Sequence, residues 1–331
     1  MMQRFRFTAE DGALAAEARR AATKLAAQAG LDDSEAGKVS LVVTEAATNL
    51  VKHGGGGELL IGAAGDHEVA VVALDRGPGM ANPAACLRDG FSSSGTTGTG
   101  LGAIARQAAR FDIHSLPGVG TAVLAGVRKS RQTPAPPSFD LGGVSVPAPG
   151  ETLCGDAWAA LPVVDGLKLM IVDGLGHGAL ASDAAQHAVT AFRALVARPV
   201  DQIIDGVHGA LRSTRGAAVG VAAIDTRRRL LTFAGVGNIQ GAIVAEGPVR
   251  HTVSHGGIAG HGAPRVQVFS YPWPDGAMLV MASDGITTHW TLDAYPGLRQ
   301  RDPLLIASIL YRDFARGRDD ATVVVARERA A

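Results

Sequence analysis

The apolar positions of this chain change their period in blocks. Residues 11–29 are alanine-rich with Glu and Arg interspersed and stop at Gly30, the pattern of a helix. Between 33 and 52, apolar side chains recur at Val39, Val42, Val43, Ala46, Ala47 and Leu50. That spacing predicts a second helix, capped in the Asp33/Ser34 region and broken by Gly54 to Gly57. Glu58–Ala63 and Glu68–Leu74 read as strands joined at Gly65-Asp66. Leu101–Ala109 reads as a helix, and Phe111–Leu116 with Thr121–Val127 as a hairpin around Pro117-Gly118. The first half is therefore expected to lay helices on one face of a mixed sheet.

The second half is richer in strands. Its apolar runs predict strands at Val144–Val146, Cys154–Leu161, Leu167–Val172, Ala218–Asp225, Leu230–Ala234, Gln240–Val244, Val266–Tyr271, Ala277–Ala282 and Ala321–Ala326. Helical periods fill Ala179–Ala197, Val200–Ser213 and Pro303–Phe314. A β-sandwich covered by helices follows, and the whole chain belongs to the α+β class. Between the halves, residues 130–138 hold three prolines in four positions, which favours an extended spacer. The expected division is 1–129, a linker at 130–138, and 139–331.

Composition narrows the function. The 331 residues are 47% hydrophobic with 43 glycines, which fits two packed domains rather than a disordered chain. Formal net charge is zero, so no global field favours nucleic acid or an anionic membrane. No apolar run is long enough to span a bilayer, and the charged start MMQRFRF has no signal-peptide core. Cys86 and Cys154 make no metal or redox spacing. A soluble cytoplasmic protein that binds neither nucleic acid nor membrane is the expectation.

Two constellations carry chemistry. In the first half, Glu45 and Asn49 lie four residues apart and share one helix face. An asparagine oxygen suits Mg²⁺ bridging phosphates, and a carboxylate one turn earlier can accept a hydroxyl proton. Asp75-x-Gly77-x-Gly79 closes an apolar strand, where the carboxylate can accept from an exocyclic amine. Gly98-x-Gly100-Leu101-Gly102 opens a helix whose exposed N–H groups suit phosphate oxygens, and Ser92–Thr99 has the make-up of a lid. In the second half, Asp156, Asp173-Gly174, Asp284 and Asp319-Asp320 fall at the ends of apolar segments. Four convergent carboxylates stay ionised together only beside cations, and oxygen-only ligands favour Mg²⁺ or Mn²⁺.

The first set, over residues 5–128, resembles the GHKL ATPase superfamily and within it the anti-sigma-factor serine kinases of the RsbT/RsbW type. That resemblance implies an α/β sandwich that binds ATP and Mg²⁺, with Glu45 as general base and Asn49 as metal ligand. It assigns Asp75, Gly77 and Gly79 to the adenine, Gly98, Gly100, Leu101 and Gly102 to the phosphates, and Thr121 to the nucleotide. The substrates implied are STAS-domain (anti-anti-sigma-like) proteins, with a sigma factor as a second candidate partner; such domains often pair, so a homodimer is expected.

The second set, over residues 139–328, resembles the SpoIIE/RsbX branch of metal-dependent serine/threonine phosphatases, with an α-β-β-α sandwich. It implies two Mn²⁺ or Mg²⁺ ions held by Asp156, Asp173, Asp284 and Asp319, with the Gly174 carbonyl on one of them and Asp320 behind them. Gly235-Val236-Gly237-Asn238 is expected to be a structural turn, and His177 a loop residue. No basic residue presents itself for the phosphate. The combined expectation is a bifunctional partner-switching regulator, kinase in one half and phosphatase in the other. Its alternative is a phosphatase whose first half grips the partner in an ATP-dependent way without kinase turnover.

Overall fold

The computed structural model describes residues 1–8, 12–65, 67–87, 100–129, 138–262 and 266–329. Gly98, the Ser92–Thr99 stretch and all of the spacer except Ser138 lie outside the described residues. The chain forms two compact units. One comprises Met1–Ala135 with Thr291–Ile309, the other Pro136–Trp290 with Leu310–Ala331.

The first unit runs β1 (Gln3–Phe7), α1 (Gly12–Gln28), α2 (Asp33–Lys52), β2 (Gly57–Ala63), β3 (Glu68–Leu74), α3 (Pro83–Cys86), α4 (Gly100–Gln107), β4 (Arg110–Leu116) and β5 (Gly120–Arg128). Helix α2 starts on a complete capping box: Asp32 accepts from Glu35 N while the Glu35 carboxylate accepts from Asp32 N. Its apolar stripe, with Ala18, Ala22 and Ala26 of α1, covers alternate residues of the sheet such as Leu59, Ile61, Val69, Val71 and Val123. Strand order is β1-β2-β3-β5-β4.

Every pairing in this sheet is antiparallel, so it is not the mixed sheet expected. The chain reaches the outer strand β4 through α3 and α4, and the tight β4–β5 hairpin then returns β5 beside β3 in the opposite direction. Strand β1 is a further departure. Phe5 and Phe7 are buried on either side of the exposed Arg6, a short alternation that the charge of the N-terminus hides.

The second unit contains β6 (Phe139–Val146), β7 (Asp156–Val163), β8 (Gly166–Gly174), α5 (Ala179–Leu195), α6 (Val200–Leu211), β9 (Ala217–Asp225), β10 (Leu230–Val236), β11 (Gln240–Val244), β12 (Arg250–His251), β13 (Phe269–Pro272), β14 (Met278–Ala282) and β15 (Ala321–Glu328). The unit boundary falls within α7 (Pro303–Phe314). Two antiparallel five-stranded sheets result, ordered β13-β10-β9-β8-β7 and β12-β11-β14-β15-β6.

Alternation along β8 explains their stacking. Leu167, Leu169 and Ile171 join Leu279, Met281 and Val324 between the sheets, whereas Met170 and Val172 pack with Ala184, Ala188, Ile203 and Val207 of α5 and α6. The Trp158 ring lies so close to Gly143 that a Cβ there would stand 2.6 Å from it, so only glycine fits. No helix among the described residues is long and apolar enough to cross a membrane.

Candidate nucleotide site and acidic centre

In the first unit, α2 and the start of α4 converge. A Cβ placed on Gly100 would stand 3.1 Å from both Asn49 Oδ1 and Glu45 Oε2. Both side chains are half-buried, and Asn49 Nδ2 is buried with no hydrogen-bond partner among the described residues. A buried amide without a partner among the described residues fits a site that a polar ligand completes.

The Asp75–Gly79 loop is held from two sides. Asp75 Oδ1 accepts from Gly77 N at 2.9 Å and Thr121 N at 3.0 Å. Met80 N donates to Ser115 Oγ at 2.8 Å, and Ser115 Oγ meets Thr121 Oγ1 at 2.9 Å. Gly77 lies directly against Gly54 and His53 O, and Gly79, at φ +69°, lies against Leu116 O. These two glycines thus serve close backbone packing of the loop. Leu101 packs against the hydrophobic core, and Gly102 is buried on the same helix. Ser115 escapes a reading of the sequence because a serine in a strand carries no motif.

In the second unit each sheet supplies two acidic groups. Asp156 at the start of β7 is the direct cross-strand partner of Asp173 near the end of β8. Asp284 follows β14, and Asp319 precedes β15, the strand paired with β14. The sheets are tied together at this end. Ser283 Oγ donates to Asp156 Oδ2 at 2.7 Å and accepts from Thr322 N at 3.0 Å. The buried Asp320 carboxylate accepts from Ala148 N and Gly155 N, each at 2.9 Å, and so fixes the strand end that carries Asp156.

The electrostatics of this centre are strained. Burial first, then the charges of Asp156, Asp284, Asp319 and Asp320, push the Asp173 carboxyl well above the usual carboxylate range. Burial also raises Asp156, against the Ser283 hydrogen bond, with Asp320 and Asp284 adding to it. Asp284 is raised by burial and by Asp319, while Arg316 lowers it. Like charges directly opposite on paired strands destabilise a sheet unless something neutralises them. Among the described residues no set of three or more His, Cys, Asp or Glu side chains is already arranged to hold a metal ion. The donor set nevertheless fits hard divalent cations: carboxylates only, in mutual repulsion, with the Gly174 backbone one residue from Asp173.

Three neighbours come from outside the acidic motifs. Asn238 Nδ2 donates to Asp284 Oδ2 at 2.7 Å, so the 235–238 turn reaches the acidic centre. The Arg215 guanidinium lies beside the Asp173–Gly178 loop, where a Cβ on Gly176 would stand 3.1 Å from Nη1. Arg316 N donates to Gly285 O at 2.8 Å, which keeps a second cation by Asp284. Arg215 is far in sequence from the loop it approaches, whereas Arg316 lies 32 residues beyond Asp284 and three before Asp319. His177 is exposed and pairs through Nδ1 with Glu151 Oε1 at 2.7 Å.

Two stretches of the chain match known families. Residues 164–329, half of the chain, match the Stage II sporulation protein E (SpoIIE) family, and the chain belongs to that family. Residues 7–126 match the histidine kinase-like ATPase domain. The serine/threonine-protein kinase RsbT of Bacillus subtilis (strain 168) is 29% identical over 111 residues, 33% of this chain and 84% of RsbT. The phosphoserine phosphatase RsbX of the same organism is 28% identical over 91 residues, 28% of this chain and 46% of RsbX.

Among solved structures, one described as the bacterial stressosome, a modular system adapted to control secondary messenger signaling, superposes with a TM-score of 0.54 at 27% identity. It covers 58% of this chain and 100% of that one. The crystal structure of RsbX in complex with magnesium gives 0.51 at 19% identity, over 60% of this chain and 99% of RsbX, a likeness of fold. The chain thus joins a histidine kinase-like ATPase domain to a domain of the SpoIIE family.

Proposed function

We propose that the second unit hydrolyses phosphoserine or phosphothreonine esters on a STAS-type protein, and that the first unit phosphorylates such a protein from ATP. The observation that carries the phosphatase reading is the meeting of Asp156, Asp173, Asp284 and Asp319 from two sheets in one repelling cluster. Two Mn²⁺ or Mg²⁺ ions, when bound, supply charge neutralisation and a water acidic enough to attack phosphorus near neutral pH. Asp156, Asp173, Asp284, Asp319 and the Gly174 carbonyl would hold them. Ser283 and Asp320 keep Asp156 in place, Asn238 orients Asp284, and Arg215 offers the phosphate a cation.

For the first unit, Asn49 would hold the Mg²⁺ that accompanies ATP, and Asp75 would accept from the adenine amine with Thr121 beside it. Gly77 and Gly79 shape that loop, and Gly98, Gly100, Leu101 and Gly102 would meet the phosphates. Glu45 would take the proton of the attacking hydroxyl. The closeness of Glu45 and Asn49 to Gly100 supports this. A cytoplasmic setting, a sigma factor as a second partner and a homodimer through the first unit are part of the proposal.

The test is direct. Purified protein with Mn²⁺ is expected to hydrolyse p-nitrophenyl phosphate and to stop when the metal is chelated. Labelled ATP and a STAS-domain protein test the kinase. Transfer that persists undiminished in Glu45→Ala removes Glu45 as the base, and absence of any transfer leaves an ATP-dependent binding module.

A further inference from the structure

Asp284 and Asp319 are joined by residues 285–318, and the middle of that stretch lies outside their own unit. Thr291–Ile309 belong to the first unit, whereas the chain on either side of them belongs to the second. The two ends of the excursion are bonded to each other beside Asp284. Arg316 N donates to Gly285 O at 2.8 Å, and Thr287 N to Phe314 O at 2.9 Å. Its middle is held on β4 by polar groups. Arg110 donates from Nε to Asp302 Oδ2 at 2.6 Å and from Nη2 to Asp302 Oδ1. Asp112 accepts from Asp302 N at 2.7 Å and from Arg301 Nη1 at 3.2 Å. His114 Nε2 donates to Pro296 O at 3.1 Å, and its ring meets Tyr295 edge-on.

Arg110, Asp112 and His114 alternate along β4 and so share one side of it. Ser115, the next residue, takes the other side, where its hydroxyl accepts from Met80 N and meets Thr121 Oγ1. One strand therefore carries the excursion on one side and the Asp75–Met80 loop on the other. Asp302 has a second duty. Its Oδ1 accepts from Leu304 N at 2.8 Å, which caps the start of α7, the helix that leads back to Phe314 and Arg316. The Arg110 and Asp302 side chains keep 26% and 17% exposure. Ion pairs in contact with water are individually weak, so a small change in β4 can tighten or loosen this attachment.

Resting on the phosphatase and ATP readings above, we propose that residues 291–309 form a clasp that links nucleotide occupancy at the Asp75 loop to the setting of Asp284 and Asp319. A nucleotide that orders the Asp75–Met80 loop acts on Ser115 and hence on β4. The strand acts on Asp302 and α7, and the bonded ends of the excursion carry the change to the two carboxylates.

The test uses the full chain and a non-hydrolysable ATP analogue. With Mg²⁺ present, saturating analogue is expected to change hydrogen exchange of the Thr287 and Arg316 amides by about threefold or more. At fixed free Mn²⁺ it is expected to change kcat for p-nitrophenyl phosphate by about fivefold or more. The double substitution Arg110→Ala/Asp112→Asn is expected to remove both responses while the analogue still binds. Its hydrolysis without nucleotide should stay within about threefold of the wild type, which also reports an intact fold. His114→Ala, a milder change, should weaken both responses. Asp75→Asn should need correspondingly more analogue for the same response, which separates occupancy of the first unit from chelation of Mn²⁺ by the analogue. A wild type that binds the analogue and lacks either response, or a double variant that keeps both in full, overturns the clasp and leaves both readings standing. A wild type that does not hydrolyse p-nitrophenyl phosphate overturns the phosphatase reading and the clasp together. One that does not bind the analogue overturns the ATP reading and the clasp.

Discussion

The two sites solve opposite problems with aspartate. In the first unit Asp75 is met by amides: one oxygen accepts from both Gly77 N and Thr121 N, and the glycines around it close backbone onto backbone. That carboxylate stabilises its own loop before any nucleotide arrives. In the second unit Asp173 faces Asp156 across a strand pair with Asp284 and Asp319 beyond, and its charged form is opposed by burial and by every one of these neighbours. One site is preorganised by hydrogen bonds, and the other stores repulsion that bound cations would relieve. An acidic residue at a site can therefore support the fold or oppose it, depending on what faces it.

The sharpest way to break this comparison is to neutralise one aspartate in each unit. Asp173→Asn is expected to lower Mn²⁺-dependent hydrolysis by about 10³-fold or more, since it removes the carboxylate proposed as the central cation ligand. The same change should raise the melting temperature of the metal-free protein, because it deletes a charge the fold opposes. Asp75→Asn should do the reverse, weakening ATP binding and lowering the melting temperature by exchanging a charged acceptor for a neutral one. Calorimetry of both variants in chelator decides the matter. A destabilised Asp173→Asn would show that the acidic centre is not under repulsion.

A second effect, about 10²-fold or more, concerns Glu45. Glu45→Ala should reduce phosphate transfer to a STAS-domain protein by that amount and leave ATP affinity within a few-fold. The expectation rests on Glu45 and Asn49 meeting the same edge of Gly100 while only Asn49 carries a buried, unmatched donor. An equal fall in ATP affinity would instead make Glu45 part of the binding site.

How much of this can be read from the sequence follows the same divide. The acidic residues announce themselves because each sits at the end of an apolar strand, and the strand pattern of the second unit is strong. The α+β class and the helix period of α2 are legible for the same reason. What stays hidden depends on tertiary pairing. Ser283, Ser115 and Asn238 are ordinary residues until a second strand or turn meets them. Arg215 approaches Gly176 only because the segment after α6 returns beside the β8 loop, where Leu175 N donates to Gly216 O. Sheet direction in the first unit departs from the mixed sheet expected because local pattern does not tell which strand a hairpin will pair with next.

The smallest effect is a pH dependence of stability. Asp173, Asp156, Asp284 and Asp320 all have carboxyls raised above the ordinary value in the folded state, burial being the first cause in each. A raised carboxyl means the folded chain binds more protons than the unfolded one between the usual carboxylate range and neutrality or above. Stability of the metal-free protein must then rise as pH falls through that window, with the gain complete only near the unfolded carboxylate range. Denaturant unfolding in chelator should therefore show a higher midpoint at about pH 5.5 than at about pH 8. Mn²⁺ should reverse the slope, because cations compete with those protons and bind more tightly as the carboxylates ionise. A metal-free midpoint that falls steadily on acidification would mean that the raised carboxyls of the acidic centre do not dominate the chain's linkage, and that the contrast between the two sites is smaller than their geometry implies.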